Sequence, residues 1–115
     1  MYIPSNEYIT EKRITMRGGD GEVTLEHISK TELPVNVRLM AKITLNKNCS
    51  IGYHVHENET EIFHFISGNG IVSDNGTEKA VKCGDTLVTP SGCGHSVRND
   101  NDEPLIIFAS IILSK

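Results

Sequence analysis

Residues that interrupt regular structure recur at short intervals along this chain, and that spacing constrains its fold more than any other feature. Gly18-Gly19-Asp20-Gly21, Glu32-Leu33-Pro34, Asn46-Lys47-Asn48, Glu57-Asn58-Glu59, Gly68-Asn69-Gly70, Asp74-Asn75-Gly76 and Cys83-Gly84-Asp85 all read as turns, as do the stretches 90–94 and 100–104. The runs between them are short and rich in Val, Ile, Thr and Phe. They give candidate strands at Val23–Ile28, Val37–Leu45, Ser50–His56, Glu61–Ser67, Ile71–Ser73, Glu78–Val81, Thr86–Thr89, His95–Arg98 and Leu105–Leu113. Short strands at this spacing predict an all-β sandwich or barrel. Asn75-Gly76 predicts a type I′ hairpin. Tyr8–Arg13 and Lys30–Leu33 are the two segments where a short helix fits.

At 115 residues the chain suits a single domain over 1–115. The formal net charge is −4, the acidic residues are scattered and no Lys/Arg block occurs, which argues against nucleic acid or an anionic membrane as partner. The most apolar run, Leu105–Leu113, falls short of the roughly 20 residues a spanning helix needs and reads as a buried strand. The first residues lack the apolar stretch of a secretory signal, so a cytoplasmic location is expected. Cys49, Cys83 and Cys93 are odd in number and form no C-x-x-C pair, which disfavours a disulfide framework or a zinc knuckle. Cys93 stands two residues before His95 and is a candidate neighbour of the site described next.

His54-Val55-His56 lies in a run whose neighbours favour a strand. Residues two apart on a strand share a face, so the two imidazoles stand side by side. That suits one metal ion, although two surface histidines on an edge strand have the same pattern. Glu61 follows across the polar stretch Glu57-Asn58-Glu59-Thr60, and would open the next strand opposite the histidines. Glu57 and Glu59 read as solvated loop residues. A second cluster runs from Gly84-Asp85 through Pro90-Ser91-Gly92 to His95, where a constrained turn precedes a strand that could bring a third imidazole. His64 is an odd number of residues past Glu61 and should face away, toward a subunit interface at most. Phe63 and Phe65 share the face of Glu61, and Val97 that of His95; they pack the interior or wall a cavity. Tyr53 should face away from His54, and His27 reads as an ordinary surface or partly buried residue.

These two clusters resemble the motifs of the cupin superfamily. Its first motif is G-x5-H-x-H-x(3,4)-E-x6-G, and His54, His56, Glu61 and Gly68 fall at that spacing. One position departs: Asn48 stands where the motif has its first glycine, and a glycine occurs instead at Gly52. The second motif, G-x5-P-x-G-x2-H-x3-N, is matched throughout by Gly84, Pro90, Gly92, His95 and Asn99. The motifs span about 52–68 and 84–99 of the chain. The resemblance implies an all-β double-stranded β-helix, or jelly-roll barrel, with His54, His56, Glu61 and His95 as ligands of one divalent transition-metal ion. It also implies a homodimer, by an N-terminal segment or the apolar end of the chain.

Three imidazoles and one carboxylate suit Mn, Fe, Co, Ni, Cu or Zn as the divalent ion. A small-molecule ligand in the barrel with two oxygens, for example a 2-oxo acid, a hydroxy acid or oxalate, could chelate such an ion. No general base or nucleophile–base pair is evident beside it. The reading placed first is a metal-dependent enzyme on a small carboxylate-type substrate: an oxygenase, decarboxylase, lyase or isomerase. A non-catalytic protein that binds a carboxylate or sugar through the metal comes next. A sensing module comes last, since no helix-turn-helix segment accompanies the barrel.

Overall fold

A computed structural model describes residues 1–114. The strands are β1 (Ile9–Ile14), β2 (Glu22–His27), β3 (Val37–Leu45), β4 (Ser50–Val55), β5 (Glu59–Ser67), β6 (Asn69–Asp74), β7 (Thr77–Lys82), β8 (Thr86–Thr89), β9 (Gly94–Arg98) and β10 (Leu105–Leu113). They form two antiparallel sheets, one six-stranded in the order β1-β2-β3-β10-β5-β8 and one four-stranded in the order β4-β9-β6-β7. Among the described residues the only helical pieces are 3-10 turns at Ser5–Glu7 and Met16–Gly18. The all-β expectation holds.

Alternation along the strands builds the interior. Val23 and Leu25 of β2, Ala41, Ile43 and Leu45 of β3, Phe63 and Phe65 of β5, and Leu105, Ile107, Ala109 and Ile111 of β10 all point inward from the larger sheet. Ile51, Val72 and Val97 meet them from the smaller one. Each such Leu, Ile, Val or Phe contributes about 1.5–3 kcal/mol of burial free energy. The residues between them face out.

Two short segments differ from expectation. The stretch expected to suit a helix at Tyr8–Arg13 is strand β1, paired antiparallel to β2 from Ile9↔His27 to Ile14↔Glu22. Glu11 and Arg13 share one face there, bonded to each other at 3.0 Å, and Glu11 reaches His27 at 2.7 Å. Polar cross-strand pairing, rather than an apolar stripe, fixes this edge strand. Residues 30–33 form bends. Ser29 Oγ accepts the N–H groups of Thr31 and Glu32 as at a helix start, but Pro34 disfavours a helical Leu33 and stops the turn.

The turns position the strands that carry the site. Asn75 and Gly76 both have positive φ (51° and 100°), as the type I′ hairpin between β6 and β7 requires. Asn48 has φ 66°. That is the left-handed region, which glycine enters freely and asparagine tolerates better than most residues. The register between β4 and β9 shifts between Ile51 and His54, which sets His54 directly opposite His95.

Candidate metal centre

Four side chains from three strands converge between the two sheets. His54 lies on β4, His56 one residue past its end, His95 on β9 and Glu61 on β5. His56, Glu61 and His95 are buried, and His54 is half-buried. His56 Nε2 lies 3.1 Å from His95 Nε2, which lies 3.2 Å from His54 Nε2. Glu61 Oε1 is 2.9 Å from His56 Nε2 and 3.0 Å from His95 Nε2. One ligand atom from each residue falls within 4.8 Å of all the others. The structure thus brings together all four of the residues singled out by spacing.

The outer ring nitrogens fix which way the inner ones present themselves. His54 Nδ1 donates to the carbonyl oxygen of Gly52 at 2.8 Å, and His56 Nδ1 donates to Glu59 Oε2 at 2.6 Å. His95 Nδ1 is 2.8 Å from the hydroxyl of buried Thr89. A neutral imidazole with its proton on Nδ1 turns a bare lone pair inward from Nε2. Lone pairs of this kind beside a carboxylate oxygen repel one another, and a cation among them removes the repulsion. The donor set of three nitrogens and one oxygen, each ring oriented by an outer hydrogen bond, fits a first-row divalent ion.

The ionisation of the cluster follows from its contacts. Burial pushes the His54 pKa down against the raising effect of its hydrogen bond to Gly52, with the neighbouring His95, His56 and Arg17 adding to the lowering. Where no cation fills the centre, protons on the inner nitrogens take its place: the His56 pKa goes up, chiefly through a hydrogen bond to Glu61 and despite burial, with Glu59 assisting. Burial works to raise Glu61, but the hydrogen bonds from His56 and His95 outweigh it and hold the carboxyl below its usual range. Glu59 falls to about 2, mainly through Arg38, against burial and with help from His56.

Glu59 corrects the sequence reading, which took it for a solvated loop residue. It opens β5, is buried, and is held through both oxygens by Arg38 Nε and Nη2 at 2.9 and 2.8 Å. Its parity was the available signal: it shares the face of Glu61 once the strand is extended by one step of two residues. Glu57 is exposed, as expected. His27, read as ordinary, is buried against Glu11. His64 is exposed and bonded to Thr86 Oγ1 at 3.0 Å, away from the cluster. Tyr53 faces outward and covers Gly94, where a Cβ would collide with its ring. Cys93 contributes its backbone carbonyl, which accepts the His56 N–H at 3.0 Å.

A cavity of about 50 Å³ adjoins the cluster, with room for a few heavy atoms. Phe63, Phe65 and Val97 do not wall it. They belong to the core, with Phe63 stacked on His95 at 4.6 Å between ring centroids. The cavity opens the other way, where Leu25, Leu39, Ile43 and Ile111 give apolar walls and Arg13, Arg17 and Arg38 bring positive charge. No spacing in the sequence marked these arginines. A larger hollow of about 340 Å³ shares Arg13, Arg38 and Leu39 with it.

The model for the cupin domain matches residues 41–111, which include all four converging residues. A protein named oxalate-binding protein from Thermotoga maritima is 40% identical over 114 residues, covering 98% of this chain and 94% of its own length. A crystal structure of a predicted oxalate decarboxylase, also from Thermotoga maritima, is 39% identical with a TM-score of 0.93, covering 98% of this chain and 99% of that one. The structure of KdgF from Halomonas sp. is 14% identical, with a TM-score of 0.75 over 100% of this chain and 94% of its own, and shows shared fold alone. The motifs, the two facing sheets and these matches agree: the chain belongs to the cupin family, with that family's double-stranded β-helix fold.

Proposed function

We propose that this chain holds one divalent first-row transition-metal ion through His54, His56, Glu61 and His95 and uses it to bind a small dicarboxylate, with oxalate the first compound to test. The observation that carries this reading is the convergence of three inward-facing ring nitrogens and one carboxylate oxygen within 4.8 Å, beside a small cavity rimmed by three arginines. When bound, the ion supplies a Lewis-acid anchor for carboxylate oxygens. The chain's own residues do the rest. Gly52, Glu59 and Thr89 orient the imidazoles, the apolar walls limit ligand size, and the arginines favour negative charge. The relative named for oxalate binding, 40% identical over nearly the whole chain, supports this choice of ligand.

Binding without turnover is the form of this proposal that the cavity supports best. Loss of a carboxylate from the ligand needs a proton donor to take its place. Besides three of the four proposed ligands (His54, His56 and Glu61), the described residues that line the cavity are apolar side chains and arginines, and arginine does not deprotonate near neutrality. The decarboxylase reading rests on the solved relative described as a predicted oxalate decarboxylase. Carbon dioxide release from oxalate by the metal-loaded protein decides between the two.

The metal claim is tested by elemental analysis of the purified protein. About one ion per chain is expected, with most of it lost in His54→Ala and His95→Ala and retained in His64→Ala. Equal metal content in all of these variants overturns the ligand assignment.

A homodimer is also proposed, on the outer face of the six-stranded sheet. Met40, Ile62 and Val88 lie in one cross-strand row with Ser110, and Phe108 stands in the next row beside His64. Val88 and Ile66 are 51% and 44% exposed there. A mainly apolar cross-strand row of this kind suits a second copy of the chain. Light scattering should give twice the chain mass, and Val88→Glu should halve it; a monomer at all concentrations removes the dimer from the account.

A further inference from the structure

Three arginines line the cavity beside the His/Glu cluster, and two of them are already engaged. Arg13 Nε donates to Glu11 at 3.0 Å, and Arg38 grips Glu59 through two nitrogens. Arg98, which does not line this cavity, pairs with Glu78 and Asp100. Arg17 alone among the arginines has no carboxylate partner among the described residues.

Its backbone is unusual as well. Arg17 has φ 55° and ψ 31°, and Thr15 two residues earlier has φ 50° and ψ 45°. A residue with a Cβ holds this left-handed conformation at a cost, and does so where its surroundings impose it. Here they are visible. The N–H groups of Gly18 and Gly19 close onto Thr15 O and Met16 O at 2.9 and 3.0 Å, and Met16 packs on the core. Asp20 and Ser50 exchange hydrogen bonds, Ser50 N to Asp20 O and Asp20 N to Ser50 Oγ, both at 2.8 Å. Gly52 lies so close beneath that a Cβ there would collide with the carbonyl oxygen of Arg17. The segment is therefore fastened to β4, and the same Gly52 holds the ring of His54 through its own carbonyl oxygen. The arginine and the first histidine share one backbone support.

Charge bookkeeping then assigns the free arginine a role. Arg13 and Arg38 are balanced by Glu11 and Glu59. With neutral imidazoles, a divalent ion and Glu61 leave one positive charge in the cavity, which a monoanion would neutralise. Arg17 adds a second, and the apolar walls make charge balance matter more than it does in water.

We propose that Arg17 sets the charge class of the ligand, selecting a dianion over a monoanion by pairing with carboxylate oxygens that the metal ion does not take. This rests on the metal-anchored binding proposed above. Arg17 is exposed as well as lining the cavity, so solvent screening keeps its contribution toward the lower end for a charged hydrogen bond.

The test compares two chelating probes on metal-loaded protein, oxalate as dianion and glycolate as monoanion, in the unaltered chain and in Arg17→Gly and Arg17→Lys. Glycine suits the backbone at position 17, so Arg17→Gly should keep its metal content and melting temperature. It should bind oxalate about tenfold more weakly. Glycolate affinity should stay within about twofold, and Arg17→Lys should recover part of the oxalate preference. Absence of metal-dependent oxalate binding by the unaltered chain overturns the binding reading and this inference with it. Metal-dependent oxalate binding that Arg17→Gly leaves unchanged, or that falls in step with glycolate, overturns the role of Arg17 and leaves the binding reading standing.

Discussion

Replacing Glu59 separates the orientation of the site from the identity of its proposed ligands. Glu59 touches no inner nitrogen; it holds His56 Nδ1 at 2.6 Å and is itself held by Arg38 through two bonds. Glu59→Gln keeps the size and an oxygen acceptor for His56, but loses the negative charge and turns an N–H2 toward Arg38 or His56. Carboxylates behind a metal-bound histidine typically account for 10- to 100-fold in metal affinity. That is about 1.4–2.8 kcal/mol. Glu59→Ala goes further, because it also leaves the Arg38 guanidinium without its partner. Arg38 is about half exposed (47% of its side chain), so water takes over much of that role and the added cost to fold stability should be about 1–2 kcal/mol rather than the 3–5 of a fully buried pair. Competition with a chromophoric chelator measures the affinity, and thermal melts of the metal-free proteins measure the stability. Glu57→Gln, in the adjacent exposed turn, is the control. If Glu59→Gln holds metal as tightly as the unaltered chain, the Arg38–Glu59–His56 chain does not orient the site and the reasoning from hydrogen-bond geometry fails.

Other outcomes follow from the same structure. Glu11 is held at about 2, first by Arg13 and then by His27. A carboxyl lowered on folding stabilises the protein above its unfolded value of about 4.5, and that contribution disappears as pH falls through about 2. Glu11→Gln should therefore lower the melting temperature at pH 7 and make little difference near pH 2; an equal loss at both pH values refutes the ion-pair account of β1. Asn48→Gly should be tolerated within about 0.5 kcal/mol, whereas Asn48→Val should cost about 1–3 kcal/mol in denaturant melts, because a β-branched residue resists φ 66°. Phe63→Ala should cost about 3–5 kcal/mol and also weaken metal binding, since its ring supports His95; intact metal affinity in a destabilised variant would show that the stacking has no part in the site.

How much of this was legible in the sequence depended on whether the signal was local. Strands β2 to β10 could be read because turns whose chemistry is carried by single residues, such as Asn75 and Gly76, bracket short β-prone runs, some alternating as β2 does and one, β10, apolar almost throughout. The four converging side chains could be read because strand parity and motif spacing bring His54, His56, Glu61 and His95 together. Strand β1 was not legible. Its inward face carries Glu11 and Arg13, whose pairing with each other and with His27 exists only once β2 lies alongside. Glu59 was missed for a related reason. The polar run 57–60 reads as a loop, and only Arg38, 21 residues earlier, makes burial of that carboxylate affordable. Arg17 had no sequence signal at all. Its left-handed backbone is imposed by Gly52 and Ser50 across the fold. Asn48 was the reverse case: a departure from the cupin motif that its φ of 66° explains.

The central claim is that a metal ion held by the His/Glu cluster anchors a dicarboxylate. Calorimetric titration of oxalate into metal-loaded protein, into protein stripped by a chelator, and into the His54→Ala, His56→Ala double variant tests it most directly. The account predicts saturable binding near one oxalate per chain in the first case and none in the other two. Equal binding by all three would place the ligand elsewhere on the molecule and contradict it.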